Sequence, residues 1–181
     1  MNDRYTRTAI ALHWLIALAV ICQIGFGWTL QEIPRGTPER TIYVNFHKSS
    51  GLIIGLLILM RLAWRLTHRP PPLPASMAAW ERAAARSNHA LLYGCMLIMP
   101  IAGYTASNFS KFGVKLFNAV LLPPWGADDR AIYAFFNGLH VGTSYVFVAL
   151  IALHVLAALK HLLVERDEVF RRMWLATRRD R

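Results

Sequence analysis

Apolar residues along this chain are gathered into long stretches in which no Asp, Glu, Lys or Arg occurs. One lies between Arg7 and Glu32, another runs from Ser87 to Ser110, and a third from Ala131 to Leu159. Each exceeds the roughly 20 residues that an α-helix needs to cross the hydrocarbon core of a bilayer. A fourth run, Ser49 to Met60, is shorter. Lys48 and Arg61 can extend their charges from its ends toward the headgroups, and Trp64 can anchor at the interface, so it too reads as a span. The pattern predicts helices over about 8–31, 43–66, 87–108 and 131–162 within one domain, residues 1–181. The expected fold class is all-α, a bundle of four transmembrane helices.

Composition sharpens this picture. The chain is 55% hydrophobic yet carries a formal charge of +10, a combination foreign to soluble domains and natural for a membrane protein with basic cytoplasmic segments. Of the 20 Lys and Arg, fourteen fall on one side if the N-terminus is inside: Arg4, Arg7, Arg61, Arg65, Arg69, Arg82, Arg86, Lys160, Arg166, Arg171, Arg172, Arg178, Arg179 and Arg181. Six fall on the other: Arg35, Arg40, Lys48, Lys111, Lys115 and Arg130. Both termini are therefore expected in the cytoplasm. The basic excess then needs no nucleic acid to explain it. The first apolar run is too long for a cleaved signal peptide and no small-residue cleavage site ends it.

The loops differ in character. Arg69-Pro70-Pro71-Pro72 stops the second helix and stiffens the inner connection. The outer connection mixes Lys111 and Lys115 with the apolar run Leu116 to Leu122 and then Pro123-Pro124. It reads as a short amphipathic lid on the outer membrane face. Pro100 is expected to kink the third helix. Cys22 and Cys95 lie inside apolar runs, which leaves nothing for a disulfide framework or a thiolate zinc site. No CxxCH occurs, so covalent c-type haem is excluded.

Histidines carry the candidate chemistry, because an ionisable side chain inside a membrane helix is a functional hypothesis by default. His140 and His154 are 14 residues apart on one charge-free helix. At 100° per residue they leave nearly the same face, separated by about 21 Å along the axis. His13 begins the first helix inside, at the depth of His154, and His47 begins the second outside, at the depth of His140. Two bis-histidine pairs result, His13 with His154 and His47 with His140. Saturated imidazole ligation suits two low-spin haems b in electron transfer, with no position open at iron and outer-sphere chemistry as the consequence. Zinc is a poorer reading, since each pair offers two ligands and no helix carboxylate completes four. A bundle without cofactor, whose histidines are simply hydrogen-bonded, is the blander alternative. His68 and His161, beside Arg69 and Lys160 at helix ends, fit that blander role. Gly51, Gly55, Gly138 and Gly142 near the pairs would let a flat macrocycle approach, or would serve ordinary helix packing. Arg61, 14 residues after His47, is placed to meet haem propionates at the inner level or to reach the headgroups.

The segment Arg7-Thr8-Ala9-Ile10-Ala11-Leu12-His13-Trp14, with His47 heading the second helix, Asn88-His89 in the third, His140 and His154 on the fourth and Arg171-Arg172-Met173 behind it, resembles the prokaryotic cytochrome b561 family. The likeness covers nearly the whole chain. It implies the same four ligands, a bacterial inner membrane, ubiquinone as partner at the inner haem and, as in free-standing members, superoxide oxidation at the outer face. Similar cores serve as membrane subunits of hydrogenases and formate dehydrogenases, which makes an electron-relay subunit of a larger periplasmic dehydrogenase the alternative. For a quinone, His89 is at the right depth, with Ser87, Asn88 and Tyr93 nearby; His89 could instead partner His13, or be a polar helix-start residue. For an anion such as superoxide, Lys48, Lys111, Lys115 and Arg130 form a basic outer rim that would steer its approach, if they do more than keep the loop wet.

Overall fold

Threonine and aspartate side chains open three of the four long helices. Thr6 accepts from the Ala9 N–H at 3.2 Å and starts α1, Arg7–Glu32. Thr37, followed by Pro38, starts α2, Pro38–Thr67. Glu81 turns back to the Ala78 N–H at 3.1 Å at the head of α3, Ala79–Asn108. Asp129 accepts from the Ala131 and Ile132 N–H groups at 2.8 and 3.0 Å at the head of α4, Arg130–Leu159. Each contact satisfies backbone donors that a helix start otherwise leaves unpaired. These signals lie outside the charge-free runs, so α2 begins at 38 rather than 43 and α3 at 79 rather than 87. The computed structural model describes residues 4–74 and 77–174; Arg178, Arg179 and Arg181 of the expected inner tail lie outside the described residues.

All four helices are long and apolar enough to cross a membrane, and the fold is an all-α bundle as expected. Their outward faces carry exposed Leu18, Leu56, Leu66, Leu91, Phe135 and Leu156, the surface that lipid covers. Inside, Ile16, Val20, Ile58, Cys95 and Phe147 form a small core joined by Ile54, Leu92 and Leu150. Phe147 stands midway in sequence between His140 and His154, so this core is an apolar layer between the two histidine levels.

Packing follows close approach, since lipid tails leave no hydrophobic force to drive helices together. α4 packs chiefly on α3, α1 on α2 and α2 on α3. A Cβ at Gly55 would lie 3.2 Å from the Pro100 side chain, and one at Gly51 would lie 3.3 Å from Gln23 Nε2. These two glycines therefore serve helix packing, the second of their two expected roles. Gln23 Nε2 donates to the His47 carbonyl at 2.8 Å and Ser50 donates to Gln23 Oε1 at 2.7 Å, which ties α1 to α2 beside His47. α3 runs as one helix through Pro100, which seats against Gly55.

The connection between α3 and α4 is a β-hairpin; the end of the bundle that bears it, with His47 and His140, is called outer, and the end with His13 and His154 inner. β1, Val114–Leu116, pairs antiparallel with β2, Val120–Leu122, around a turn in which Phe117 and Asn118 both take positive φ. That conformation matches the twist of two-stranded ribbons. The hairpin is pinned to α2 around His47. Ser49 Oγ accepts the Phe117 N–H at 2.8 Å, Asn45 Nδ2 donates to Asn118 Oδ1 at 2.8 Å, and Lys48 Nζ donates to the Gly113 carbonyl at 2.9 Å. The expected amphipathic lid is thus a fixed strand pair, because side chains one turn of α2 apart satisfy its backbone.

Gly113 takes φ 58°, and a Cβ there would stand 2.7 Å from the Leu122 carbonyl oxygen. Gly113→Ala is expected to destabilise the protein by about 1–3 kcal/mol, read as a lowered midpoint in thermal unfolding followed by circular dichroism in detergent.

Candidate functional site

Four imidazoles meet in two pairs. His13 on α1 faces His154 on α4 with ring centroids 6.2 Å apart and planes at 75°. His47 on α2 faces His140 on α4, again at 6.2 Å, with planes at 85°. Helix periodicity places both α4 histidines on one face, and α4 does not pack closely on α1 or α2 among the described residues. The rings thus confront one another between helices whose backbones stand apart.

The residues fit bis-imidazole haem b. A metal–imidazole nitrogen bond of roughly 2 Å on each side of one ion requires ring centroids about 6 Å apart, the separation both pairs show. His140 Nδ1 hydrogen-bonds the Met99 carbonyl at 2.9 Å, the second contact by which a metal-bound histidine is usually oriented. The other ring nitrogen is then left for a metal. His47 Nδ1 is buried without a hydrogen-bond partner, a loss that folding alone does not reward.

Glycines provide the approach. A Cβ at Gly103 would stand 3.0 Å from His140 Nδ1, so the ring reaches the Met99 carbonyl because residue 103 has no side chain. A Cβ at Gly27 would stand 3.3 Å from His47 Cε1. At Gly138 and Gly142 a Cβ would meet no heavy atom within 4 Å. The roles of Gly27 and Gly103 were missed from sequence. A signal existed: the 14-residue interval of α4 recurs as His13 and Gly27 on α1, His47 and Arg61 on α2, and His89 and Gly103 on α3.

The inner level is richer than the outer. His89 on α3 lies 5.4 Å from His154, ring to ring, too short a separation for two rings to clasp a metal from opposite sides. No ring contact joins His89 to His13 among the described residues, so the geometry makes it a neighbour of the inner pair. Asn88 beside it is buried with Oδ1 unpaired, while Ser87 is exposed. Arg61 Nη1 donates to the Ala9 carbonyl at 2.7 Å, one turn before His13, and its charge acts on both His13 and His154. Arg61 and Tyr93 line a shallow open cleft with Tyr5, Trp64, Arg65 and His68. Arg65 lies over the Tyr93 ring at 5.4 Å, and His68 stacks on Trp64 at 3.8 Å. Trp14, next to His13, donates to the Met173 carbonyl at 2.8 Å, which draws the tail across this end. His161, at the end of α4 beside Lys160, is a buried and hydrogen-bonded residue as expected, set against Glu165 and Asp167.

At the outer level the basic rim divides. Lys111, Lys115 and Arg130 are exposed, whereas Lys48 is half-buried under the hairpin it holds. Arg40 caps the end of α1 through the Leu30 and Ile33 carbonyls.

Known proteins match along nearly the whole chain. A family model described as prokaryotic cytochrome b561 covers residues 4–176. Cytochrome b561 homolog 2 of Escherichia coli K12 is 30% identical over 94% of this chain and 91% of its own length. Cytochrome b561 homolog 1 of the same strain is 27% identical over 94% and 97%. A probable superoxide oxidase, CybB, of Yersinia pestis is 27% identical over 96% and 97%.

Gly103→Val is expected to push His140 off the Met99 carbonyl and to lower the haem recovered per chain by pyridine haemochrome assay, with Gly103→Ala falling between it and the unaltered protein. Equal haem in all three would show that the close approach at residue 103 is dispensable.

Proposed function

The chain belongs to the prokaryotic cytochrome b561 family, whose members bind haem b and transfer electrons in membranes, and from that premise we propose that it holds two haems b and carries electrons from superoxide outside to ubiquinone inside. The observation that carries this reading is the pair of 6.2 Å imidazole couples at opposite ends of one face of α4. His13 and His154 hold the inner group and His47 and His140 the outer one. Haem b held by these residues would supply one-electron transfer.

The chain's own residues do the rest. Lys111, Lys115 and Arg130, exposed around the hairpin, draw a small anion to the outer end. Lys48, next to His47, fixes the hairpin. Ile16, Val20, Ile58 and Phe147 keep water out of the layer between the levels. Arg61 offers its guanidinium to a propionate at the inner level. His89, beside the inner pair, and Tyr93, one turn further along α3 in the cleft, donate to the quinone carbonyls; Ser87, being exposed, helps only from the rim. Overall two superoxide anions become two dioxygen molecules while one ubiquinone takes two electrons and two protons. The protein lies in a bacterial inner membrane with both termini cytoplasmic, as its basic residues support.

Exposed Phe112, Val120, Leu121 and Trp125 around the outer hairpin favour a second reading, docking of a periplasmic dehydrogenase for which this chain is the relay subunit.

Pyridine haemochrome analysis is expected to give two haems b per chain, one of them lost in either His47→Ala or His13→Ala. Stopped-flow mixing with superoxide should reduce the haem above the spontaneous dismutation background; no reduction would favour the relay reading. His89→Ala should keep both haem signals and abolish quinone reduction, and loss of a haem instead would overturn the ligand pairing.

A further inference from the structure

Beyond α4 the chain continues as a π-helical turn, Lys160–Glu165, and Arg166 then takes a left-handed conformation that turns Asp167 back on the helix. His161 is 7% exposed there. Its Nδ1 lies 2.5 Å from Glu165 Oε2 and 2.7 Å from Asp167 Oδ2. None of these residues belongs to the two imidazole pairs or to the cleft.

We infer that His161, Glu165 and Asp167 form a binding site for a divalent first-row transition ion of the zinc type. Three features of the cluster carry this. The first is the count of donors: one ring nitrogen carries at most one proton, yet two carboxylate oxygens converge on it, so one acceptor lacks a hydrogen of its own. The second is orientation. Each carboxylate has its other oxygen held from behind, Glu165 Oε1 by Lys160 Nζ at 2.7 Å and Asp167 Oδ1 by the Val169 N–H at 2.9 Å. Such outer contacts aim ligand oxygens inward at a metal. The third is charge. Glu165 and Asp167 bring two carboxylates to one point, while Lys160 pairs with Glu165 and Glu81 through oxygens that do not face His161. The two ligating carboxylates carry the charge that a divalent ion balances.

The three ligand atoms lie within 4.8 Å of one another, a span that one ion closes. One imidazole and two carboxylates suit zinc and its neighbours, with a fourth position left to water. Side-chain exposures of 31% for Glu165 and 25% for Asp167 give an ion a way in from solution.

The test is equilibrium dialysis of the purified, haem-loaded full chain in detergent against zinc chloride, with metal analysis. One zinc per chain is expected, bound by nitrogen and oxygen donors at about 2.0–2.2 Å in X-ray absorption, without sulfur. Glu165→Gln and Asp167→Asn should each weaken binding at least about tenfold while the haem spectrum is unchanged. His68→Ala and Glu168→Gln should bind as the unaltered chain does. No zinc retained by the unaltered chain, or equal retention by all variants, would overturn the site. Should the variants lose haem through misfolding, a zinc-edge anomalous map of the unaltered chain decides: a peak among the three side chains upholds the inference, and one elsewhere refutes it.

Discussion

Polar groups within a bilayer must find partners inside the protein, since lipid offers none. Four imidazoles placed in membrane helices are the hardest of these demands, and the bundle is arranged around them. α4 presents His140 and His154 on one face, and α1 and α2 each bring one imidazole to meet them at 6.2 Å. α3 packs on α4 from another side and supplies the Met99 carbonyl that orients His140. Helix lengths, glycine positions and the pinned hairpin all follow from holding those rings in place.

The two ends of the bundle are built differently, and the difference is chemical. At the inner level His89, Arg61 and an open cleft stand beside the histidine pair, so hydrogen-bond donors and a cation are within reach of anything that enters. At the outer level the strand pair is bolted over α2 by Asn45, Lys48 and Ser49. That end offers exposed cations and a rigid cover rather than a recess. Between them the layer around Phe147 carries no polar side chain in its buried cluster.

Much of this was legible in the sequence because membranes simplify the code. Charge-free runs reveal the helices, and a 14-residue spacing on one helix reveals two depths on one face. Three things were hidden, each for a physical reason. The hairpin was hidden because its strands, Val114–Leu116 and Val120–Leu122, are three residues each and too short for alternation to mark them, and its turn depends on a distant Ser49 hydroxyl. Gly27 and Gly103 were hidden because a glycine's value lies in what approaches it from another helix. The cluster at His161 was hidden because the π-helical turn and the left-handed Arg166 that bring Glu165 and Asp167 to it leave no mark in residue type. The extra turns of α2 and α3 beyond the apolar runs were written in their caps, Thr37 with Pro38 and Glu81.

The interval shared by all four helices acts as a common ruler. A single residue inserted between His13 and Gly27, or between His89 and Gly103, would rotate one end of that helix by about 100° relative to the other, severing one level from its neighbours while leaving the other intact. A change of length is therefore harmless to both levels only in the connections and termini, and the stretch between the levels can change its letters but not its count.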